Sequence, residues 1–306
     1  MTTSVSVIIA TYNYGKYIID CLESLKNQTL QNLEIIIVDD GSTDNTATLV
    51  KEFADERIRY FFQVNKGQAS AKNIGIKESI GKYICFLDSD DYLDINSIEE
   101  RALFLDTNQS VDWVFTDTYF VDSNKQILCK GSEVFSVVFD GQFINNIFQQ
   151  LLKKGNFITS DTVMLRKKCL EFIGNFNGEL RFHEDYELWL RLAKQFRCGY
   201  INKPLNFMRK HQHSLGTADY EIDRIHMVRL MDHLETLYPD HINKIKKIWN
   251  KRKADAINHL GIYANKRFDY NNMRKHFLKS IKQYPYQFLA YRYLIKSLIK
   301  TCMTLS

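Results

Sequence analysis

Short apolar segments alternate with helical segments as far as Leu87, and this alternation limits the folds that the chain can adopt. Four segments have the length and composition of buried strands: Val5–Ala10, Leu33–Val38, Ile58–Phe62 and Lys82–Leu87. Three segments between them have the apolar spacing of helices: Tyr14–Gln28, a stretch capped by Ser42 or Thr43 that ends at Phe53, and Lys66–Ser79. Strands that alternate with helices in this way are typical of βαβ units. The pattern predicts an α/β fold with a mainly parallel sheet and helices on both faces.

The alternation weakens after Ile95, and the end of the chain is helical. Three more strands and one strong helix are predicted, at Asp112–Val121, Thr162–Leu165, Leu205–Arg209 and Glu184–Phe196. From Asp219 onward the pattern is helical, with a break at Tyr238-Pro239-Asp240. We therefore expect an α/β domain over 1–218, with halves 1–110 and 111–218, and an α-helical extension over 219–306.

The extension is far more basic than the rest of the chain. Residues 241–306 contain 15 Lys and Arg against 2 Asp and Glu, a net charge of +13. The other residues contain 26 against 34, which is −8, and the two parts together give the net charge of +5. This asymmetry indicates that the two parts have different partners. No signature of a nucleic-acid-binding module accompanies the basic residues, so we do not expect nucleic acid to be one of them.

The sequence favours a cytoplasmic location. No apolar run approaches the length of a membrane span, and no basic region precedes the first strand, so we expect no signal peptide. The six cysteines are scattered, without the spacing of a metal site or a redox motif. This usage is typical of a reducing compartment.

Acidic residues follow the fourth predicted strand. Asp88, Asp90 and Asp91, with Ser89 among them, stand at its carboxyl end, which is where open α/β sheets bind ligands. Clustered carboxylates repel one another unless a cation lies among them, and Mg²⁺ or Mn²⁺ with phosphate oxygens meets that need. The alternative is that Asp91 or Asp94 caps the next helix, which explains one carboxylate but not three.

Polar residues also follow the first two predicted strands. Thr11, Tyr12 and Asn13 come after the first strand, and Asp39 and Asp40 end the second. Because parallel strands present their carboxyl ends at one edge of a sheet, these residues are expected to form a nucleotide pocket. The alternative is a tight turn between strand and helix, but that turn does not explain Asp39, which precedes it.

Three residues elsewhere have side chains suited to the same chemistry. Lys72 lies in a segment of small residues that opens the third helix, and its charge would offset a diphosphate. Asp185 lies in the first turn of a helix and is a candidate general base, although the helix dipole alone would favour an acidic residue there. His211 follows a predicted strand and is a candidate ligand of metal or diphosphate, or an ordinary surface histidine.

Taken together, six segments closely resemble glycosyltransferase family 2, whose members have the GT-A fold. They are Ser6–Asn13, Val38–Thr46, Asn65–Gly75, Phe86–Asp91, Glu184–Leu192 and Arg209–Ser214. In order and spacing they follow the family's S-V-I-I-P-x-Y-N, V-D-D-G-S, A-[RK]-N-x-G, F-L-D-x-D-D, E-D-Y and R-x-H-x-x-S motifs. Ala10 replaces the usual proline, Lys72 the commoner arginine, and Asn175 stands where glycine is frequent. The resemblance covers about residues 4–216 and does not extend to the basic extension.

The resemblance implies a metal-dependent, inverting transfer of a sugar from a nucleotide diphosphate, with Mn²⁺ or Mg²⁺ as cofactor. A UDP-sugar is the expected donor, a dTDP-sugar the second choice, and a saccharide or a lipid-linked molecule the expected acceptor. On this basis 1–110 is the nucleotide-binding half and 111–218 the acceptor half. The implied base is Asp185 and the implied metal ligands are Asp90, Asp88 and His211. The implied contacts with the nucleotide sugar come from Thr11, Tyr12, Asn13, Asp39, Asp40, Lys72, Asp88, Ser89 and His211.

Two other functions remain open at this point. A nucleotidyltransferase can share this sheet topology, but it usually has a glycine-rich basic loop after the first strand, where this chain has only Gly15. The other is a non-catalytic binding protein that acts through its basic helices. These helices also allow peripheral contact with the inner face of the cell membrane, against the alternative that their apolar faces only pack within the protein.

Overall fold

The computed structural model describes residues 4–137, 139, 142–211 and 220–304, and it divides into two compact units, 1–211 and 212–306. The boundary predicted after residue 218 lies outside the described residues. The first unit contains one sheet of ten strands with helices packed against it. The second unit consists of helices.

Four parallel strands form the first half of the sheet, as the sequence predicts. They are β1 (Val5–Thr11), β2 (Leu33–Asp39), β3 (Ile58–Phe62) and β4 (Tyr83–Phe86). Their order is β3-β2-β1-β4, with every neighbouring pair parallel. The helices between them are α1 (Ile18–Lys26), α2 (Thr46–Glu52) and α3 (Gln68–Glu78). The carboxyl ends of β1, β2 and β4 therefore meet at one edge.

The second half of the sheet is mixed, and its antiparallel pairs were not predicted. It contains β5 (Tyr92–Leu93), β6 (Trp113–Val121), β7 (Ile127–Lys130), β8 (Phe143–Ile144), β9 (Met164–Arg166) and β10 (Cys198–Arg209). The short strand β9 lies between β4 and β6 and is antiparallel to both. The remaining helices of this unit are α4 (Ser97–Thr107), α5 (Gly131–Phe135), α6 (Ile147–Lys154), α7 (Lys167–Ile173) and α8 (Glu184–Gln195).

Three of the parallel strands, β1, β2 and β4, are buried on both faces, which explains their largely apolar sequences, whereas the edge strand β3 is only partly buried. Every residue of β2 is buried, as is every residue of β1 except Ala10. The predicted apolar face of α1 packs into the core through Ile18, Cys21, Leu22 and Leu25. On the other face, Gly75 of α3 lies so close to Ile8 that an added Cβ would stand 2.3 Å from Ile8 Cγ2. Close packing of α3 therefore fixes the loop that precedes it.

Two details of the prediction were wrong. The N-cap residue of α2 is Asn45, not Ser42 or Thr43. The Ser42 backbone N–H is already bonded to Asp39 Oδ1 at 2.7 Å, and its hydroxyl accepts from the Asn13 backbone N–H at 2.9 Å. In addition, β10 begins at Cys198 rather than near Leu205, because it pairs with β6 through two register shifts that interrupt its alternation.

The second unit is built from five helices over its described residues. They are α9 (Tyr220–Leu237), α10 (Pro239–Asn243), α11 (Lys246–Lys266), α12 (Tyr270–Gln283) and α13 (Phe288–Thr304). The predicted break coincides with the gap between α9 and α10. Helices α11 and α12 pack closely, because Gly261 lets the ring of Phe277 approach to 2.9 Å from where a Cβ would stand. Across all the residues described, no helix is both long enough and apolar enough to cross a membrane.

Candidate active site

The loops after β1 and β2 are joined by hydrogen bonds between their polar residues. Thr11 lies opposite Asp39 in the sheet, and its carbonyl accepts from the Asp40 backbone N–H at 2.8 Å. Asn13, at φ 59°, accepts the Thr43 N–H on its side-chain oxygen at 2.7 Å. The structure therefore brings together the first two groups of predicted nucleotide-binding residues.

The carboxylates of Asp39 and Asp40 are buried and bonded within the protein. Asp39 accepts from the Tyr60 hydroxyl at 2.7 Å as well as from the Ser42 N–H. Asp40 accepts from the backbone N–H groups of Lys66 at 2.8 Å and Gly67 at 2.9 Å. Asp40 thus shapes the turn that leads into α3. Contacts of the two carboxylates with a nucleotide stay predictions. Such contacts would add to the hydrogen bonds that the carboxylates already accept within the protein.

Two residues at the end of β1 are available to a ligand, one through an unpaired hydroxyl and the other through an exposed side chain. The Thr11 hydroxyl is buried and has no hydrogen-bond partner among the residues that the structure describes. The neighbouring Tyr12 side chain is 45% exposed. A buried hydroxyl without a partner is costly, so a ligand that completes it would gain binding energy.

The carboxylate loop, defined as residues 88–91, follows β4. Asp88, Asp91 and Asp161 each have a carboxylate oxygen within 4.8 Å of the others. Burial raises the pKa of Asp88 to about 7, and the charges of Asp161, Asp90 and Glu184 also raise it, while Lys72 opposes them. Burial likewise raises the pKa of Asp91 well above its usual range. The raised pKa values indicate that Lys72 only partly offsets the burial and mutual repulsion of these carboxylates.

Asp90 pairs with His211 rather than with Asp88. His211 Nε2 lies 2.9 Å from Asp90 Oδ2, and the imidazole stacks on Tyr17 at 4.8 Å between ring centroids. Ser89, between the two aspartates, is buried. Of the three predicted metal ligands, Asp90 and His211 thus form a pair, and Asp88 lies with Asp91 and Asp161 instead. The last residue of the R-x-H-x-x-S motif, Ser214, lies outside the described residues.

Arg209 fastens the end of β10 to the carboxylate loop. Its backbone N–H donates to Asp91 Oδ1 at 2.6 Å, and its Nε donates to the Asp90 carbonyl at 2.9 Å. Nη2 donates to Asp20 of α1 at 2.9 Å, and the guanidinium lies 4.9 Å from the ring of Tyr17. These contacts fix His211, two residues further along, beside Asp90.

The sequence predicted that Lys72 contacts the diphosphate. In the structure, the side chain of Lys72 is buried inside the site. Its Nζ lies 3.5 Å from Asp88 Oδ1 and 3.6 Å from Glu184 Oε1, and the side chain is 1% exposed. Burial by itself would lower the pKa of Lys72, but the nearby carboxylates, led by Asp88 and Glu184, raise it above its usual value. The ammonium thus links the carboxylate loop to the first turn of α8. The diphosphate contact stays a prediction.

Asp185 stands beside Glu184 at the start of α8. Its Oδ2 accepts from Asn156 Nδ2 at 2.9 Å, and its Oδ1 accepts from the Tyr186 N–H at 2.6 Å. Burial raises the pKa of Asp185 to about 6, and the charge of Glu184 adds to this, while Lys72 and His183 act in the opposite direction. A carboxylate with this pKa is ionised at neutral pH and is basic enough to accept a proton.

Sequence reasoning missed several residues of the site, above all Asp161. Asp161 lies in a single 3₁₀ turn (Ser160–Thr162), and its Oδ1 accepts from the Asp88 N–H at 2.9 Å. Strand β9 follows this turn and pairs with β4, so it places the turn beside the carboxylate loop. Nothing in the local sequence indicates that β9 pairs with β4. Tyr17 and Asn156 were missed because their contacts, with His211 and Asp185, join segments that are distant in the sequence, while Arg209 lay inside a recognised motif.

The residues present fit a hard divalent cation. Carboxylate oxygens suit Mg²⁺ and Mn²⁺, and the imidazole of His211 is a common ligand of transition metals. The side chains of Asp88 and Asp90 are 33% and 14% exposed, so a cation can reach both carboxylates. The identity of the metal is part of the proposal below.

The sequence also matches those of known proteins. The family model described as glycosyl transferase family 2 matches residues 6–174. An uncharacterized glycosyltransferase of Rickettsia felis is 34% identical over 273 residues, which cover 89% of this chain and 43% of that protein. The putative glycosyltransferase EpsH of Bacillus subtilis is 31% identical over 233 residues, covering 70% and 63%. The chain therefore spans less than half the length of the Rickettsia felis relative.

Solved structures show the same fold at low sequence identity. S. aureus TarS in complex with UDP-GlcNAc superposes with a TM-score of 0.64 at 19% identity, over 92% of this chain and 91% of that one. The mannosyltransferase PcManGT from Pyrobaculum calidifontis, in complex with GDP-Man and Mn²⁺, gives 0.58 at 16% identity, over 99% and 81%. The GT-A fold with added C-terminal helices is confirmed. From its sequence match and its fold, this chain belongs to glycosyltransferase family 2.

Proposed function

We propose that the protein is a metal-dependent inverting glycosyltransferase that moves a sugar from a nucleotide diphosphate to a hydroxyl group. The observation that carries this proposal is the buried Lys72, which lies between the carboxylate loop and the helix that bears Asp185. This contact supports placing the donor and the base in one site. Family membership favours sugar transfer over nucleotidyl transfer, and it favours catalysis over binding alone.

A UDP-sugar is the proposed donor. The neighbours TarS and PcManGT bind UDP-GlcNAc and GDP-Man, so they support a nucleotide sugar without fixing the base. Thr11, Tyr12 and Asn13 would contact the base, together with Asp39 and Asp40. The unpaired Thr11 hydroxyl supports this assignment, since a nucleobase edge offers it a hydrogen-bond partner.

Mn²⁺ or Mg²⁺ is the proposed cofactor, held by Asp90 and His211 with Asp88 nearby. When bound, such an ion offsets the negative charge that develops on the leaving nucleoside diphosphate. Arg209 contributes by holding Asp90 and the end of β10 in place. Lys72 balances part of the charge of Asp88 from inside the protein.

Asp185 is the proposed base. As the acceptor oxygen forms its bond to the anomeric carbon, the acceptor hydroxyl proton passes to the Asp185 carboxylate and the bond to the diphosphate oxygen breaks. The attack comes from the face opposite the leaving group, so the configuration inverts. The amide of Asn156 and the N–H of Tyr186 orient the carboxylate for this proton transfer.

A panel of nucleotide sugars tested for protection against thermal unfolding examines the donor and the metal together. A UDP-sugar with Mn²⁺ is expected to raise the melting temperature, because a ligand present at 100 times its Kd stabilises the folded state by about 2.7 kcal/mol. The same sugar with EDTA, and GDP- or dTDP-sugars with Mn²⁺, should give smaller shifts. If no nucleotide sugar raises the melting temperature in the presence of Mn²⁺ or Mg²⁺, the proposal fails.

We also propose that the helical unit contacts an anionic membrane surface, which would bring the enzyme to a lipid-linked acceptor on the cytoplasmic side. Residues 270–304 contain seven Lys and Arg and no Asp or Glu. Helix α13 buries one apolar side, where Tyr293 stacks on Phe277 at 5.0 Å. It exposes a second one, with Phe288 82%, Tyr291 42% and Ile295 57% exposed. Exposed aromatic residues among cations are typical of a helix that lies on a bilayer.

Vesicle co-sedimentation tests this contact. The protein is expected to bind vesicles that contain phosphatidylglycerol more strongly than neutral ones, since each basic residue near the surface contributes about 1 kcal/mol. Salt should weaken the binding. Replacing Phe288, Tyr291 and Ile295 together by serine should abolish it, whereas Phe172→Ser, at a 72% exposed residue of the other unit, should not. Equal and negligible binding to both kinds of vesicle would rule out the membrane as the partner of this face.

A further inference from the structure

We propose that Asp161 is a positioning residue that sets the conformation of the carboxylate loop. The proposal rests on the proposed function only in taking that loop as the place where metal and donor bind. Asp161 comes from the second half of the sheet, 73 residues beyond Asp88. Its position is fixed independently of the loop, and its side chain contacts the loop at its first residue.

The contact with the loop is a hydrogen bond to its backbone. The Asp88 N–H donates to Asp161 Oδ1 at 2.9 Å, and the Asp91 N–H donates to the Asp88 carbonyl at 3.1 Å. The first bond determines the orientation of the peptide at Asp88, and the second closes the turn that contains Ser89 and Asp90. The directions of both predicted metal-binding carboxylates therefore depend on the acceptor that Asp161 provides.

Arg101 anchors Asp161 from inside the protein. This arginine of α4 is fully buried, and its Nη1 donates to the Asp161 carbonyl at 2.9 Å and to the Val163 carbonyl at 3.3 Å. Its Nε and Nη2 donate to the carbonyl and hydroxyl of Ser97. A buried guanidinium bonded at this many points holds the turn rigidly. Arg101 therefore holds the backbone of Asp161, while the side chain of Asp161 is bonded to the carboxylate loop.

The other end of the loop lies within reach of the same turn. The Asp91 carboxylate, which is within 4.8 Å of that of Asp161, accepts from the Arg209 N–H. The 3₁₀ turn is therefore close to both ends of the carboxylate loop, at Asp88 and at Asp91. A loop restrained at both ends offers its carboxylates in one arrangement, which reduces the entropy lost when metal and donor bind.

Three variants separate positioning from other roles. Asp161→Asn keeps an oxygen acceptor for the Asp88 N–H, and Asp161→Leu removes it at similar volume. Thr162→Val is the matched control, because the Thr162 hydroxyl donates to the Thr159 carbonyl at 2.7 Å within the same region and is not bonded to the loop. If Asp161→Leu does not fold, Asp161→Ala takes its place, since it removes the acceptor without adding volume.

Amide hydrogen exchange at Asp88, measured on the full chain without metal or donor, is the first readout. We expect protection in the wild type, in Asp161→Asn and in Thr162→Val, and at least about tenfold faster exchange in Asp161→Leu. Exchange in Asp161→Leu as slow as in the wild type would overturn the proposal. This measurement does not depend on whether the protein transfers sugar.

Mn²⁺-dependent binding of UDP is the second readout. Asp161→Leu is expected to weaken it by about 10- to 100-fold, the usual effect of removing a group that orients a metal ligand, and Asp161→Asn should retain it. If Asp161→Asn loses as much as Asp161→Leu, the charge acts directly and the positioning role is refuted. If the wild type itself binds no UDP with Mn²⁺, the proposed function fails, while the exchange result still decides the role of Asp161.

Discussion

Replacing Asp185 by asparagine is expected to reduce sugar transfer by about 10²- to 10⁴-fold, the range that a general base contributes. The substitution keeps the size of the side chain and one of its two hydrogen-bond acceptors, but it removes the ability to take the acceptor proton. Donor binding should barely change, since the base acts on the acceptor. The measurement is the rate of transfer at saturating donor, together with the Kd of UDP in the presence of Mn²⁺.

The pH dependence of the wild type provides an independent check. Because burial and Glu184 raise the pKa of Asp185 to about 6, kcat/KM should be constant above that pH and should fall as the pH drops through about 6. The rate falls at low pH because only the ionised carboxylate of Asp185 can accept a proton. The residual activity of Asp185→Asn should lack this acid limb.

Glu184 is the natural comparison for Asp185, since it is the adjacent carboxylate and is buried. It is bonded to Gln68 and lies near Lys72, which indicates a role in holding the two segments together. Glu184→Gln should therefore retain an acid limb near pH 6. If Asp185→Asn turns over at a nearly normal rate and Glu184→Gln does not, Glu184 is the base.

Replacing Asp90 by alanine is expected to abolish the metal dependence of UDP binding. The carboxylate pairs with His211 at 2.9 Å and is 14% exposed, so a cation can reach both groups. Loss of a direct ligand should cost more than the about 10- to 100-fold that is typical of groups behind the ligands. Isothermal titration of UDP with and without Mn²⁺ measures the effect, and the melting temperature without ligands shows whether the variant is folded.

Asp94→Ala serves as the matched control for Asp90→Ala. Asp94 lies four residues further along, and its Oδ1 accepts from the Asn96 N–H at 3.0 Å at the start of α4. Its removal should lower stability by about 0.5–1.5 kcal/mol, the net contribution of one hydrogen bond, and leave UDP binding unchanged. Undiminished Mn²⁺-dependent binding in Asp90→Ala would exclude Asp90 from the metal site.

The first half of the fold could be predicted closely, because its physics is local. Strand β3 has the predicted bounds, Ile58–Phe62, and β1, β2 and β4 differ by one or two residues at their ends. Strands buried on both faces are apolar throughout, and βαβ units leave few choices of topology. By contrast, β9 has three residues and its pairing joins β4 to β6, which no local pattern can encode.

Residues of the candidate site could be proposed from the sequence where their type suggests a role, and they were missed where packing brings them together. Asp88, Asp90 and His211 could be proposed as metal ligands because a strand end that carries several carboxylates is costly unless a cation binds there, and histidine is a common ligand of such a cation. Lys72 was expected to contact the diphosphate, but its exposure depends on how α3 packs. That packing buries its ammonium between Asp88 and Glu184.

Arg209 has a consequence for the order in which the protein acquires its structure. It joins the end of β10 to Asp20, 189 residues earlier in the chain, and closing so long a loop is entropically costly. Contacts of this separation form late in folding. During synthesis, the first four strands can pair as soon as they emerge, yet the site stays open until the last strand of the sheet arrives. In a folding intermediate without β10, the aspartates of the carboxylate loop would lack the restraint that Arg209 supplies. The ability of the protein to bind metal together with nucleotide would therefore show that the whole sheet has formed.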